Sequence, residues 1–498
     1  MAIPHIEHLP EELLLQVLTY LDTTPPSEEK LRQEPSLQLT TSDHQMYKDA
    51  SRVSKLWRRL VLPLLFKHTR LRLDDAPREH WSKCPACTEG ALRLRVEVRN
   101  VPPSTDEVDQ YHVDMLEDAA TLLAEAKISE HWTKSGTALA EIVSYDTMRD
   151  NYLTWVPKFY HSLRDLLDFL VRQDLVSNVR SVVVMTEKML PEKLDRFPHL
   201  VAQDIDWRYK AAAAFWQHML SVLDPERVFI LAPPIDLACL TNCAIDTFGD
   251  WAFGDMDYHI LDLRSTRGEA PSSRHLLSQP VQYSSLDYMP HRYPGLARSS
   301  LLNLRPWSHI SINEGAFLKA YGTYEYFERG PPSLIYSIKD CLSPRPTFSP
   351  HARISDVPLT SLGHLTYTGI FPFASHLESF RELLPQLEVL DLQLAPEPAS
   401  NILTESDRVG KAQLEDCWSE LMSIYQSLAS LLASFRISER SVPSLKKFIC
   451  RDSKILALQE ELDEVFIPLC LPVWGEYEPG VFTRLAMSAD VVFGQPEW

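Results

Sequence analysis

The chain has 498 residues, with 49 Lys and Arg against 68 Asp and Glu, and a formal net charge of −19. Such a surface repels polyanions and lacks the basic footprint that phosphate backbones require, which excludes a general nucleic-acid binder. A hydrophobic share of 45% supports a large buried core, while only 15 glycines leave few places where a backbone could cradle a nucleotide.

The first predicted helix follows Pro10, a residue suited to a helix start, and Glu11 and Glu12 favour the positive end of its dipole. Leu13, Leu14, Val17, Leu18 and Leu21 recur at helical spacing, and Asp22 with Pro25 and Pro26 ends the run. From Pro25 to about Gln45 the chain is polar and reads as a loop. A second periodic segment begins near Met46 and carries Ala50, Val53, Trp57, Leu60, Val61 and Leu64, with Pro63 expected to break or kink it. Phe66, Leu71 and Leu73 then lead into an extended segment.

Downstream, short apolar runs alternate with longer amphipathic ones. The expected strands are Val179 to Met185, Arg227 to Leu231, Leu301 to Leu304, Leu334 to Ile338, Leu387 to Leu394 and Leu445 to Cys450. The expected helices are Val113 to Ile128, Phe159 to Val171, Trp207 to Leu223, Ser375 to Leu384 and Lys411 to Phe435. This alternation predicts an α/β chain with a mostly parallel sheet. Two stretches rich in Pro, Ser, His and Arg, Thr266 to Arg298 and Ser343 to Asp356, read as long loops.

Leucines at 387, 390, 392 and 394 fall in the frame L-x-x-L-x-L-x-L and resemble a leucine-rich repeat, whose strand lines a horseshoe. Weaker echoes lie at Pro443 to Ile449, Leu359 to Tyr367 and Asn178 to Met185. Their spacing departs from the regular ~20–29 residues of such repeats, so the solenoid is expected to be irregular and heavily inserted. An ordinary three-layer α/β domain is the alternative.

Signatures of common enzymes are missing: no G-x-S-x-G, H-E-x-x-H, G-x-x-x-x-G-K-[ST] or G-x-G-x-x-G occurs. Their absence removes the common classes without excluding an enzyme, and no catalytic residue or cofactor is assigned; that the chain is not an enzyme is what the amino-terminal resemblance described below implies. Cys84 and Cys87, with His80, form H-x3-C-x2-C. Two free thiols in a turn against Trp81 is the simplest reading; a zinc site completed by His68 or His112, and a redox pair, are the alternatives. No metal ligand is assigned. Cys239 and Cys243 read as core residues, and the aromatic run Tyr321 to Phe327 as core more than groove. Eight cysteines are too few for a disulfide scaffold, Met1 to Pro10 lacks the basic start of a secretory leader, and Val228 to Leu240 is too interrupted to span a bilayer. A soluble protein of the cytoplasm or nucleus, with no membrane partner, is expected.

The amino-terminal pattern is more specific. Leu9-Pro10 followed by a leucine-rich helix to Asp22, then Val53-Ser54-Lys55-Leu56-Trp57-Arg58-Arg59-Leu60, resembles an F-box. The run Leu62 to Leu71 is similar to the ending common in fungal F-box proteins, and the resemblance covers about Ile6 to Leu73. It implies a target-receptor subunit of an SCF-type ubiquitin ligase, joined through a Skp-type adaptor to a cullin and presenting an unknown protein substrate. By position, Leu9 and Pro10 would enter the adaptor groove. Leu13, Leu14, Val17, Leu18 and Leu21 would divide between adaptor contact and the module's own packing, and Val53, Ser54, Trp57 and Leu60 match the second motif. A non-degradative F-box interaction protein is the alternative within the resemblance. The family joins its helices by a short acidic-leucine turn, whereas Thr23 to Gln45 intervenes here. The expected organisation is an all-helical F-box module at 1–74 with an insertion at about 23–45, an irregular leucine-rich-repeat-like α/β solenoid at 75–470, and a C-terminal cap at 471–498.

Overall fold

A computed structural model describes residues 9–73, 156–186, 212–265, 301–342, 361–434 and 445–485, apart from short gaps within these ranges. The expected helix Val113 to Ile128, the Cys84–Cys87 cluster with His80, the loops Thr266 to Arg298 and Ser343 to Asp356, and residues 486–498 lie outside the described residues.

Segments rich in β-branched and aromatic residues, such as Arg227-Val228-Phe229-Ile230-Leu231-Ala232, become strands because these side chains pack well on a pleated surface. Among the described residues ten strands form one sheet: β1 (His68–Arg72), β2 (Ser181–Met185), β3 (Arg227–Ala232), β4 (His259–Arg264), β5 (His309–Ala316), β6 (His364–Ile370), β7 (Val389–Gln393), β8 (Lys447–Cys450), β9 (Trp474–Glu478) and β10 (Val481–Arg484). The order β1 to β8 follows the chain, then β10 and β9 close one edge. Neighbours pair in parallel from β1 to β3 and from β5 to β8. β4 runs antiparallel to both its neighbours, and β8, β10 and β9 form an antiparallel edge. The fold is thus mixed α/β on a mostly parallel sheet, and from β1 to β8 the described strands show no reversal of order of the kind that marks a doubly wound sheet.

Side-chain alternation splits the sheet into two unlike faces. Val182, Val228, Leu261, Ile312, Leu365 and Leu390 point into one continuous apolar core under the helices. Those helices include α4 (Val156–Arg172), α5 (Pro234–Thr241), α6 (Ile335–Leu342), α7 (Leu414–Ser434) and α8 (Leu456–Cys470); three others, α1 (Glu11–Thr19), α2 (Gln45–Val53) and α3 (Lys55–Leu65), precede the sheet. α7 buries Cys417, Leu421, Ile424, Tyr425, Leu428 and Leu432 at helical spacing, and Leu414 and Trp418 of the same sequence stripe are half-buried. Its Tyr425 donates to the carboxylate of Asp452, which also accepts the amides of Leu394 and Ala395 at 2.8 Å each.

Several expectations are corrected. Leu301–Leu304 is a helical turn, not a strand, and Trp307 Nε1 donates to the Leu301 carbonyl at 2.9 Å. Leu334 to Ile338 opens helix α6, with Ser333 Oγ accepting the Ile335 amide at 3.1 Å. In both places a short apolar run is compatible with a buried helix or a buried strand, and periodicity alone does not separate them. Ser375 to Leu384 is broken into turns at Ala374–Leu377 and Phe380–Leu383. The long segment from Met46 divides at Ser54, whose extended backbone ends α2 and whose side chain caps α3. Helix α3 runs through Pro63 to Leu65. Strands β4 and β5 were not anticipated, although Ile310 and Ile312 alternate with His309, Ser311 and Asn313.

The stretch read as a loop from Pro25 to Gln45 is partly ordered by local turns. Pro26–Glu29 forms a helical turn and Leu37–Thr40 a 3-10 turn, and both lie on the sheet face that the helices leave free.

Candidate protein-docking surface

Helices α1, α2 and α3 carry the residues singled out by the sequence. Pro10 starts α1, its carbonyl accepting the amides of Leu13 and Leu14 at 3.0 and 3.1 Å. Leu14 and Leu18 then meet Leu60 and Val61 of α3 and Tyr47 of α2 in a separate apolar cluster, flanked by Trp57. Tyr47 Oη donates to the Leu18 carbonyl at 3.0 Å, and burial raises its pKa. Ser54 Oγ accepts the Trp57 amide at 3.4 Å, satisfying one of the free donors at the start of α3. Lys67 holds Asp22 at 2.5 Å, and Arg59 pairs with Glu11.

The same helices leave apolar side chains in water. Leu9, Leu13 and Val17 are 41%, 47% and 46% exposed, and Tyr20 is 85% exposed. Leu13, Val17 and Tyr20, four and three residues apart, lie along one side of α1, and Leu9 stands just before its start. Val53 and Met46 are exposed on α2, and Leu15 on α1. Leu9, Pro10, Leu13, Val17 and Val53 therefore stand outside, Leu14, Leu18 and Leu60 inside, with Ser54 as a cap and Trp57 between; Leu21 lies outside the described residues. Sequence reasoning missed Tyr47 as a core residue and Tyr20 as part of the ledge. Tyr47 lies three residues before Ala50, which packs against the same cluster, and that helical interval was the available signal.

A second constellation lies deep in the fold. Tyr367 Oη donates to Glu314 Oε2 at 2.9 Å, and His376 Nε2 lies 3.6 Å from the same oxygen. Burial pushes the Glu314 carboxyl up to about 7 and the imidazoles of His376 and His259 down to about 3. Glu314 thus tends to neutrality, and the two histidines stay uncharged. Glu314 also lines a pocket of about 40 Å³ beside Glu34, Gly315 and Arg408, which has room for a water molecule but not for an organic substrate. Among the described residues no group of three His, Cys, Asp or Glu is arranged to hold a metal ion, and no helix is long and apolar enough to cross a membrane.

Comparison of the chain with family models, with curated proteins and with solved structures finds no match in any of the three.

Proposed function

We propose that the chain is an F-box target receptor of an SCF-type ubiquitin ligase, acting in the cytoplasm or nucleus. Its α1–α3 helices dock a Skp-type adaptor and through it a cullin. The sequentially ordered sheet is an irregular leucine-rich-repeat-like platform for a protein target. The chain then contributes no catalytic residue; it raises the concentration of a target near the ubiquitin donor.

One observation carries this reading: the exposed row Leu9, Leu13, Val17 and Tyr20 stands on helices that already have their own apolar cluster. Leu9, Leu13 and Val17 are already more than half covered, so burying the remainder contributes about 1 kcal/mol each, and a partner helix laid along the row gains from several such contacts. The test is a pull-down of purified full-length chain with a recombinant Skp-type adaptor. Stoichiometric capture, lost in a Leu13→Asp, Val17→Asp variant with an unchanged melting curve, supports the reading. Absence of capture by the unmodified chain overturns it.

A further inference from the structure

The segment from Pro25 to Thr41 crosses the sheet on the side away from the main helices, and it is held as a bound peptide is held. Much of its anchorage comes from its own backbone carbonyls, which any sequence offers. Arg227 donates to the Ser27 carbonyl at 2.6 Å, Asn313 to those of Leu31 and Gln33 at 2.9 and 2.8 Å, and Arg70 to that of Thr40 at 3.2 Å. Side chains add selectivity. Leu31 and Leu39 enter an apolar patch that includes Val183, Phe229 and Leu231. Arg32 reaches Asp391 at 2.8 Å, and Glu34 pairs with Arg408.

The surface beneath is unlike the core on the opposite face. Beyond the apolar patch it presents Asp262, Ser311, Asn313, Thr366 and Asp391, all buried or nearly so. Water could satisfy these groups if the segment moved away, whereas the opposite face, largely apolar beneath the helices, could not open at comparable cost.

We propose that residues 25–41 are the built-in occupant of a peptide-recognition groove on this sheet face. The groove accepts in their place a segment of a second protein that adopts the same turns and carries two leucines eight residues apart, with an arginine directly after the first. Recognition by main-chain carbonyls plus a few side-chain pockets is a general mode of peptide capture. The tethered occupant competes at high effective concentration and sets a threshold that a foreign segment must exceed. When the receptor reading holds, that segment belongs to the target. The groove itself does not depend on adaptor docking, and the assay below contains no adaptor.

The experiment replaces residues 26–40 in the full chain with a Gly/Ser linker of equal length and titrates a fluorescent peptide of the sequence 25–41. The expected result is saturable binding to the linker variant, at least tenfold weaker binding to the unmodified chain, and loss of binding when the peptide carries Leu31→Asp and Arg32→Glu. A folded linker variant that does not bind the peptide, or equal binding by both chains, overturns the proposal. Should the linker variant not fold, hydrogen exchange on the unmodified chain decides. Amides of Glu28, Lys30, Leu39 and Thr41 exchanging at least tenfold faster than those of β3 sustain the proposal, and equal protection overturns it.

Discussion

Arg32 and Asp391 stand 359 positions apart in the chain, yet their charged groups meet at 2.8 Å. The same carboxylate takes a two-pronged contact from Arg451, at 2.9 and 2.7 Å. One side chain of β7 therefore ties down both the crossing segment and the turn that follows β8.

Asp391→Asn should release both arginines at once. Because the carboxylate is only 10% exposed, the loss should approach the lower end of the range for breaking a buried pair, about 3 kcal/mol. Denaturant unfolding would read this as a lower midpoint. Arg32→Gln should cost less, since Arg451 remains, and a stability loss as large as that of Asp391→Asn would contradict the shared arrangement.

Leu9→Ala with Pro10→Ala should weaken adaptor capture strongly while leaving the melting temperature unchanged, because both side chains are exposed. Leu14→Ala should do the opposite in kind. It empties a wholly buried site in the three-helix cluster, at a cost of about 2–5 kcal/mol, and should loosen the module before any docking is measured. Melting curves and pull-downs on the two variants separate the outer row from the inner one.

Glu314 gives a dependence on pH whose sign is fixed. Its carboxyl titrates at about 7 in the folded chain against 4.5 for a free side chain, so folding favours the protonated form. The stabilisation is fully present below pH 4.5 and is lost as pH rises through 7. Compared with the unmodified chain, Glu314→Gln should therefore gain relative stability between pH 5 and pH 8, by roughly 3 kcal/mol at most. A difference between the two chains that stays constant over this range would refute the assignment.

The buried histidines act in the other direction. His259 and His376 titrate at about 3 once folded, below the 6.5 of a free imidazole. Their contribution is complete above pH 6.5 and declines as pH falls toward 3. His376→Phe should flatten the acid limb of the stability profile below pH 6, as measured by denaturant midpoints across that range.

The helices α1, α7 and most of α4 were legible because their apolar residues recur at 3.6-residue intervals over two turns or more. Strands β2, β3, β7 and β8 were legible as compact apolar runs. The turn at Leu301–Leu304 and the start of α6 were misread for the same reason that these strands were found: three or four apolar residues carry no period. The apolar residues of α1 could be read as leucines on a helix, but not divided into Leu14 inside and Leu13 outside, since that depends on where α2 and α3 pack. The anchoring of residues 25–41 was not legible at all. Its partners, Arg227, Asn313 and Asp391, lie hundreds of residues away, and a polar stretch with prolines looks the same whether it is solvated or seated on a sheet.

The reversal of β4 bears on how this chain tolerates change in length. The backbone leaves the sheet at Arg264 and re-enters beside it, where the Ser308 amide donates to the Arg264 carbonyl at 2.9 Å. Exit and return are neighbours on one rim, so the intervening stretch has no distance to bridge. Doubling it would add only about 0.6 kcal/mol of closure entropy. Residue insertions should accumulate there over evolution without disturbing strand register.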